Sequence, residues 1–532
     1  MVAASESETF GTLPVVPEPV KCERLKGCFT LKPQTKVFYS RSDEAAKNAA
    51  CFFCEVINPA TGYLYRPEEK PHGRTCRGAV VFATLPNSCG LGEEGYRLRV
   101  TPEGISVSAP TEAGLFYGIQ TLRQLLPPEI TKKEPVRSVS WNVPACKIED
   151  FPRFRWRGAL VDVARHFFSL SELKDFIDWI AFYKLNRLQL HLSDDQGWRI
   201  EIKRYPKLTK VGSVRAESPL RGNRTRGDGK PYGPYFFTQE EIRALVLYAS
   251  KRHVTLVPEI EMPAHCRAAL ASYPELGCTG GPYEVATRWG GNVDLFCPGK
   301  ESTFAFMQGV LSEVAGVFPG PYIHIGGDEA DMRRWKVCPH CRRRMEREDL
   351  TKLEELHSYF IRRVEKIVNS LGRTLVGWDE ILQGGLPPRA VVMSWRGVRG
   401  GIAAVKAGHQ AVMCPTSHCY FDYYQSQDRS NEPEAIGGFI PLEKVYAFRP
   451  VPAGLSAQEA GRILGGQGNL WTEFIFDYAQ LQYMAFPRLC ALSEVLWSPG
   501  EGRRDFPAFK ARLRRALQHM KAAGASFRPL NR

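Results

Sequence analysis

Eight segments with the composition of short buried strands, most of them separated by stretches of helical periodicity, follow one another from residue 154 onward. No other feature of the chain restricts its fold as tightly. Residues 158–163, 187–192, 254–260, 322–325, 374–377, 390–394, 410–413 and 463–466 read as the strands. Ser169 with Glu172, and Thr238 with Glu241, are capping-box pairs that open helices running to about residues 184 and 252. Residues 303–318 and 352–371 carry apolar side chains at helical spacing. Repeated strand–helix units predict a parallel sheet closed into an α/β (β/α)8 TIM barrel, enlarged by loops at 218–237 and 420–451.

Ahead of the barrel, residues 35–39, 79–84, 95–100 and 105–109 read as strands and residues 111–126 as an amphipathic helix. The expected organisation is a small α+β domain over residues 1–150, with no polar cluster able to run chemistry, and a catalytic barrel over 151–532 that includes a C-terminal helical segment.

Composition excludes more than it assigns. No run of 18 apolar residues occurs, so no membrane span is expected. The net charge of +14 favours anionic partners by long-range steering. It forms no patch within a recognisable nucleic-acid module, so no nucleic-acid partner is expected. The densest basic run, residues 333–344, reads as a solvated helix face. Fifteen cysteines include two C-x-x-C pairs, Cys51/Cys54 and Cys338/Cys341. Their spacing does not bring them together as a zinc site, so scattered thiols or local disulfides (Cys22/Cys28, Cys76/Cys89, Cys266/Cys278, Cys414/Cys419) are expected instead. Cys338/Cys341 follows the fourth strand closely enough for a metal there to matter.

In barrels of this kind the reacting side chains stand at the C-terminal ends of the strands. The fourth end reads Tyr322-Ile-His-Ile-Gly-Gly-Asp-Glu329. Side chains alternate along a strand, so Asp328 and Glu329 can face one cavity only if the backbone leaves strand geometry, which Gly326 and Gly327 allow. Alone, such a pair reads more readily as the opening of the next helix, and it is the rest of the chain that reverses this. The other ends are also rich in acids and aromatics: Asp162 to His166, His191 to Trp198, Pro258 to His265, Gly377 to Glu380, Ser394 to Gly397, Tyr420 to Gln425 and Gln467 to Glu473. Carboxylates among tryptophans suit glycoside hydrolysis, in which a carboxylic acid protonates the leaving oxygen and indole faces cover the sugar ring. Metal-assisted hydrolysis through His191, His265, His324, Asp195 and Asp328 is the competitor, but no H-x-H or H-E-x-x-H spacing occurs and no metal is expected.

Taken together, and above all in His324-Ile-Gly-Gly-Asp-Glu329, these stretches resemble family 20 glycoside hydrolases, the β-N-acetylhexosaminidases, in their bacterial form. The resemblance covers residues 154–499, and the first domain is similar to the small α+β domain that often precedes that barrel. It implies an exo-acting, substrate-assisted retaining hydrolase in which the sugar's own acetamido oxygen displaces the leaving group. Glu329 would be general acid/base, Asp328 would hold the acetamido N–H, and Tyr420 would bond the acetamido oxygen. Trp378, Trp395 and Trp471 would wall its methyl group. Arg165 would bind the ring hydroxyls at C3 and C4 and Glu473 those at C4 and C6, with Asp422 also reaching the sugar and Asp195 and His265 supporting the acid pair. The implied substrate is a glycan ending in β-linked GlcNAc or GalNAc, no cofactor is implied, and a monomer or homodimer is expected. Met1-Val-Ala-Ala-Ser-Glu-Ser-Glu8 lacks the basic and apolar regions of a secretory signal. A secreted or periplasmic enzyme shorn of its signal is expected, with a cytoplasmic one as the alternative. A barrel that only binds sugar would be marked by loss of Asp328 or Glu329, and both are present.

Overall fold

A computed structural model describes residues 13–72, 76–385, 387–500 and 505–531. Two compact units emerge, one built from residues up to 153 with 182–184 and 493 onward, the other from 154–181 and 185–492. The last helix, Phe506–Ala522, groups with the first unit and not with the barrel expected from its place in the sequence.

The first unit holds a seven-stranded sheet in which Tyr96–Thr101, Gly104–Ala109, Ala79–Thr84 and Lys36–Tyr39 are the strands read from alternation. Three more were not legible. Lys21–Thr30 is an exposed, charged strand, Pro67–Glu69 is a three-residue edge, and Asn142–Asp150 is interrupted by Pro144. The first two are the sheet's edges, and the third is internal but pairs on one side only at Pro144; proline and charge are what unpaired strand edges tolerate and what sequence patterns penalise. Helices Glu44–Thr61 and Glu112–Leu125 bury their apolar stripes on this sheet, each opened by a side-chain cap, Asp43 and Thr111.

The second unit is a closed, all-parallel eight-stranded barrel. Its strands, numbered here in chain order, are Trp156–Asp162, Arg187–His191, Thr255–Glu259, Tyr322–His324, Thr374–Trp378, Val391–Ser394, Ala411–Met413 and Ile463–Leu470, the last pairing with the first to close the ring. Both expected capping boxes form: Glu172 accepts from Ser169 N–H while Ser169 Oγ accepts from Glu172 N–H, and Thr238 and Glu241 do the same. Among the described residues no helix is long and apolar enough to cross a membrane.

Strand 8 runs four residues beyond its apolar start because its later side chains point into a polar barrel interior. Gln467 Nε2 donates to Gln189 Oε1 at 2.8 Å, and Trp156 Nε1 donates to Gln467 Oε1 at 3.1 Å. Gly465 there has φ of 148°, and a Cβ would lie 1.9 Å from the Trp156 carbonyl oxygen, so a side chain would block barrel closure.

Candidate active site

The barrel's C-terminal rim encloses a cavity of about 400 Å³. At the end of strand 4 the chain passes through Gly326 at φ 66° and Gly327 at φ 94°, then Glu329 itself sits at φ 48°. A Cβ on Gly326 would fall 1.8 Å from Glu261 Oε2, and one on Gly327 would fall 2.7 Å from Ile381 Cγ2. Both glycines are thus required by conformation and by space, and the turn they make brings Asp328 and Glu329 to the same cavity wall. The pair is not a helix cap: the next helix, Arg333–Val337, begins four residues later without a side-chain cap.

His265, also in a left-handed conformation at φ 48°, joins the two acids. Its Nε2 lies 3.5 Å from Glu329 Oε2 and 3.8 Å from Asp328 Oδ2, while Nδ1 donates to Asp194 Oδ1 at 3.3 Å. Burial pulls its pKa down, but Asp194, with Glu329 and Asp328, outweighs burial and raises it well above the usual histidine value, so His265 is an imidazolium. Behind it stands a chain of buried charges. Asp194 Oδ2 accepts from His191 Nε2 at 2.9 Å and pairs with Arg165 Nη2 at 2.8 Å; His191 Nδ1 in turn donates to Glu259 Oε2 at 2.8 Å. Burial opposes the charge on His191, yet Glu259 and Asp194 lift it to about 10. Both ring nitrogens of His191 are already committed to carboxylates, so a metal there would first have to break those bonds.

The two acids are tuned apart. Asp328 is nearly buried, and desolvation, only partly offset by His265, pushes its carboxyl up to about 6. Glu329 keeps half its side chain exposed, and the hydrogen bond from His265 holds it below the ordinary carboxylate value against a smaller burial effect. Deeper acids are held neutral: burial and the charges of Asp328 and Glu259 raise Glu261 well above its usual range, and burial with Glu473 does the same for Asp422.

Aromatic rings form the rest of the wall. Trp378 and Trp471 have centroids 5.8 Å apart, and Trp395 stacks on Tyr420 at 6.1 Å and 24°. Each indole is locked by an acid or base behind it. Trp378 Nε1 donates to Glu259 Oε1 at 3.0 Å, Trp395 Nε1 donates to Glu380 Oε2 at 2.9 Å, and Arg165 lies 5.4 Å from the Trp471 ring centroid. Arg165 is further fixed by Asp162 Oδ2 at 3.1 Å and Gln196 Oε1 at 3.0 Å, with Glu473 Oε1 at 3.8 Å. Buried oxygens of Asp328 (Oδ1), Asp422 (Oδ1) and Glu473 (Oε2) have no hydrogen-bond partner. Unpaired polar atoms on a cavity wall are groups waiting for a polar ligand.

Ten of the eleven residues selected from sequence line this cavity. Asp195 does not. Its Oδ1 accepts from the Arg267 backbone N–H at 2.9 Å and its Oδ2 stands 3.9 Å from His265, whereas the adjacent Asp194 makes the shorter contact with His265 and lines the cavity. Among the lining residues that were not selected from sequence are Asp194 itself, Trp289 from the loop after strand 3, and Arg224 from the short strand Asn223–Gly227, the last two far in sequence from any barrel-strand end.

A TIM-barrel rim with adjacent, differently tuned carboxylates facing a tryptophan-walled cavity defines a carbohydrate-cleaving barrel enzyme. Residues 154–500 match the Glycosyl hydrolase family 20 catalytic domain and residues 12–151 match Glycosyl hydrolase family 20, domain 2. The chain belongs to glycosyl hydrolase family 20. A beta-hexosaminidase of Porphyromonas gingivalis is 42% identical over 516 residues, 96% of this chain and 64% of the relative's own length. One from Akkermansia muciniphila is 36% identical over 430 residues, 80% of this chain and 83% of its own. Among solved structures, the GH20 beta-N-acetylhexosaminidase from Streptomyces coelicolor A3(2) superimposes with a TM-score of 0.82 at 34% identity, covering 97% of both chains. A mutant Streptomyces plicatus beta-hexosaminidase in complex with product (GlcNAc) gives a TM-score of 0.82 at 34% identity, covering 97% of this chain and 96% of its own.

Proposed function

We propose that the chain is an exo-acting β-N-acetylhexosaminidase that removes terminal β-linked GlcNAc or GalNAc from glycans with retention of configuration, using the substrate's acetamido group as nucleophile. The observation that carries this reading is the placement of Asp328 and Glu329 on one wall of a tryptophan-lined cavity, joined by the His265 imidazolium. A cavity of about 400 Å³ lies toward the small end of ligand pockets, which suits one terminal sugar.

In the first step the acetamido oxygen attacks the anomeric carbon while Glu329 gives its proton to the departing glycosidic oxygen, leaving a bicyclic oxazolinium ion. Asp328 accepts a hydrogen bond from the acetamido N–H and faces the positive charge that grows on that group. Tyr420 O–H donates to the acetamido oxygen, and Trp378, Trp395 and Trp471 enclose the methyl so that the internal nucleophile is held in line. In the second step Glu329, now a carboxylate, takes a proton from water as the water opens the oxazolinium ion on the face the leaving group vacated. Arg165, Glu473 and Asp422 supply donors and acceptors for the ring hydroxyls. His265 and Asp194 position the acid pair.

Chromogenic β-N-acetylglucosaminide, β-N-acetylgalactosaminide and the plain β-glucoside test the proposal. Turnover is expected only for the acetamido sugars, together with tight inhibition by a thiazoline analogue of the oxazolinium ion. Equal cleavage of the β-glucoside would exclude acetamido participation.

A further inference from the structure

Four sulfur atoms converge beside the active site, from three places in the sequence that no spacing rule connects. Cys297 Sγ lies 3.6 Å from Cys341 Sγ and 3.8 Å from Cys338 Sγ, and Cys278 Sγ lies 3.8 Å from Cys341 Sγ. All four ligand atoms fall within 4.8 Å of one another. Sulfurs about 2.3 Å from a common tetrahedral centre stand about 3.8 Å apart, whereas a disulfide holds two sulfurs at about 2.05 Å. Cys297 is nearly equidistant from two partners, which a set of disulfides does not explain and a shared metal does. None of the four is paired, and three are buried, with Cys278 partly so.

The surrounding backbone is shaped to bring them together. Cys338 and Cys341 flank the first turn of the helix Pro339–Arg347, so two thiols of one C-x-x-C leave the same helix end. Gly299, two residues after Cys297, packs so closely on that turn that a Cβ would lie 2.2 Å from the His340 carbonyl carbon. Cys297 N–H donates to Leu276 O at 2.9 Å, and Lys300 Nζ donates to Gly277 O at 2.7 Å, which fixes the Cys278 and Cys297 segments side by side. Trp335 Nε1 donates to Phe296 O at 3.0 Å from the other side.

We propose that Cys278, Cys297, Cys338 and Cys341 bind one zinc ion as a closed tetrathiolate centre that staples the loop after strand 3 to the segment after strand 4. Four sulfur ligands in a tetrahedron select zinc among redox-inert metals and leave no open position, so the ion is structural and takes no part in hydrolysis. Binding releases the thiol protons and involves no change of oxidation state. What the staple holds is functional: residues 279–296 leave the centre at Cys278 and return at Cys297, and on the way Trp289, Gly290 and Gly291 border the cavity. A Cβ on Gly291 would stand 3.6 Å from Glu329 Oε2. The other side of the staple carries Asp328 and Glu329 into the same cavity.

Metal analysis of the full-length protein, purified without chelator, decides the matter without any variant. One zinc per chain is expected, released in step with titration of four thiols by an organomercurial and replaced by cobalt with the visible spectrum of a tetrahedral thiolate. The double variant Cys338→Ser/Cys341→Ser should lose that zinc and melt at a lower temperature, with KM raised more than kcat is lowered. Cys51→Ser/Cys54→Ser, which alters the other C-x-x-C pair, should keep the metal. Absence of metal, iron in place of zinc, two disulfides among the four cysteines, or zinc retained by the 338/341 variant would each overturn the proposal.

Discussion

Retaining chemistry through the acetamido group needs Asp328 ionised and Glu329 protonated at once, yet the free site tunes them the other way. Asp328 is pushed up to about 6, and Glu329 is held below the usual glutamate value. Glu329 is half exposed, so water screens part of that depression, but its direction leaves Glu329 the stronger acid of the pair. The reactive arrangement, with the proton on Glu329 and the charge on Asp328, is then the minor form of the singly protonated pair. The pair must carry one proton for activity, so kcat/KM should be bell-shaped, with its basic limb near 6 and its acidic limb below the ordinary glutamate range. A bound sugar displaces water from Glu329 and raises its pKa, so the basic limb of kcat should lie above that of kcat/KM. In Asp328→Asn the group titrating near 6 is gone, and the basic limb of the residual activity should fall toward Glu329's own value. Initial rates on a chromogenic β-N-acetylglucosaminide across pH 3–8 measure all four limbs. A kcat/KM flat across that range, or a basic limb unmoved in Asp328→Asn, would show that the two acids do not share the working proton.

Glu329→Gln keeps size and polarity but cannot donate the proton, so about a 100- to 10,000-fold loss is expected with poor leaving groups and a smaller one with a dinitrophenyl glycoside, read as kcat. Gly326→Ala puts a methyl where Glu261 Oε2 stands and asks alanine for φ 66°; kcat/KM should fall more than about tenfold, with a lower melting temperature. Asp194→Asn strips the shared partner from buried Arg165, His191 and His265 and should cost about 3–5 kcal/mol in thermal or denaturant unfolding, whereas Asp195→Asn retains the oxygen that caps Arg267 N–H and should leave kcat/KM within a few-fold.

Where burial alone decides structure, the chain could be read directly. Strands 3 and 5 to 7 stand within a residue or two of their largely apolar runs, because a parallel strand covered on both faces buries both sets of side chains. Strand 8 departs from that rule: Gly-Gly-Gln-Gly-Asn has neither β propensity nor an apolar face, and it is a strand because Gln467 completes hydrogen bonds with Gln189 and Trp156 inside the barrel. The edge strands of the first unit fail the pattern for the opposite reason, since solvent permits them charge and proline.

The site was legible to the extent that strand ends announce it, and the Asp194/Asp195 substitution marks where that stops. Two adjacent aspartates at the end of strand 2 are equivalent in one dimension. What separates them is the direction each side chain takes in the two-residue hairpin Ser193–Asp194 and Gly197–Trp198, which aims Asp194 at His191, Arg165 and His265 and leaves Asp195 on a backbone amide. Those three cations come from strands 1 to 3, so the network is a property of barrel closure and of no single segment. The four cysteines follow the same logic: Cys338 and Cys341 form a pair in sequence, but Cys278 and Cys297 become their companions only because the loop after strand 3 folds back on itself at the Gly277–Phe296 bridge. In both places a small change of direction at one loop decides which of several equivalent side chains joins the cluster, and a substitution that redirects the loop should abolish the function while every one of those side chains remains in the chain.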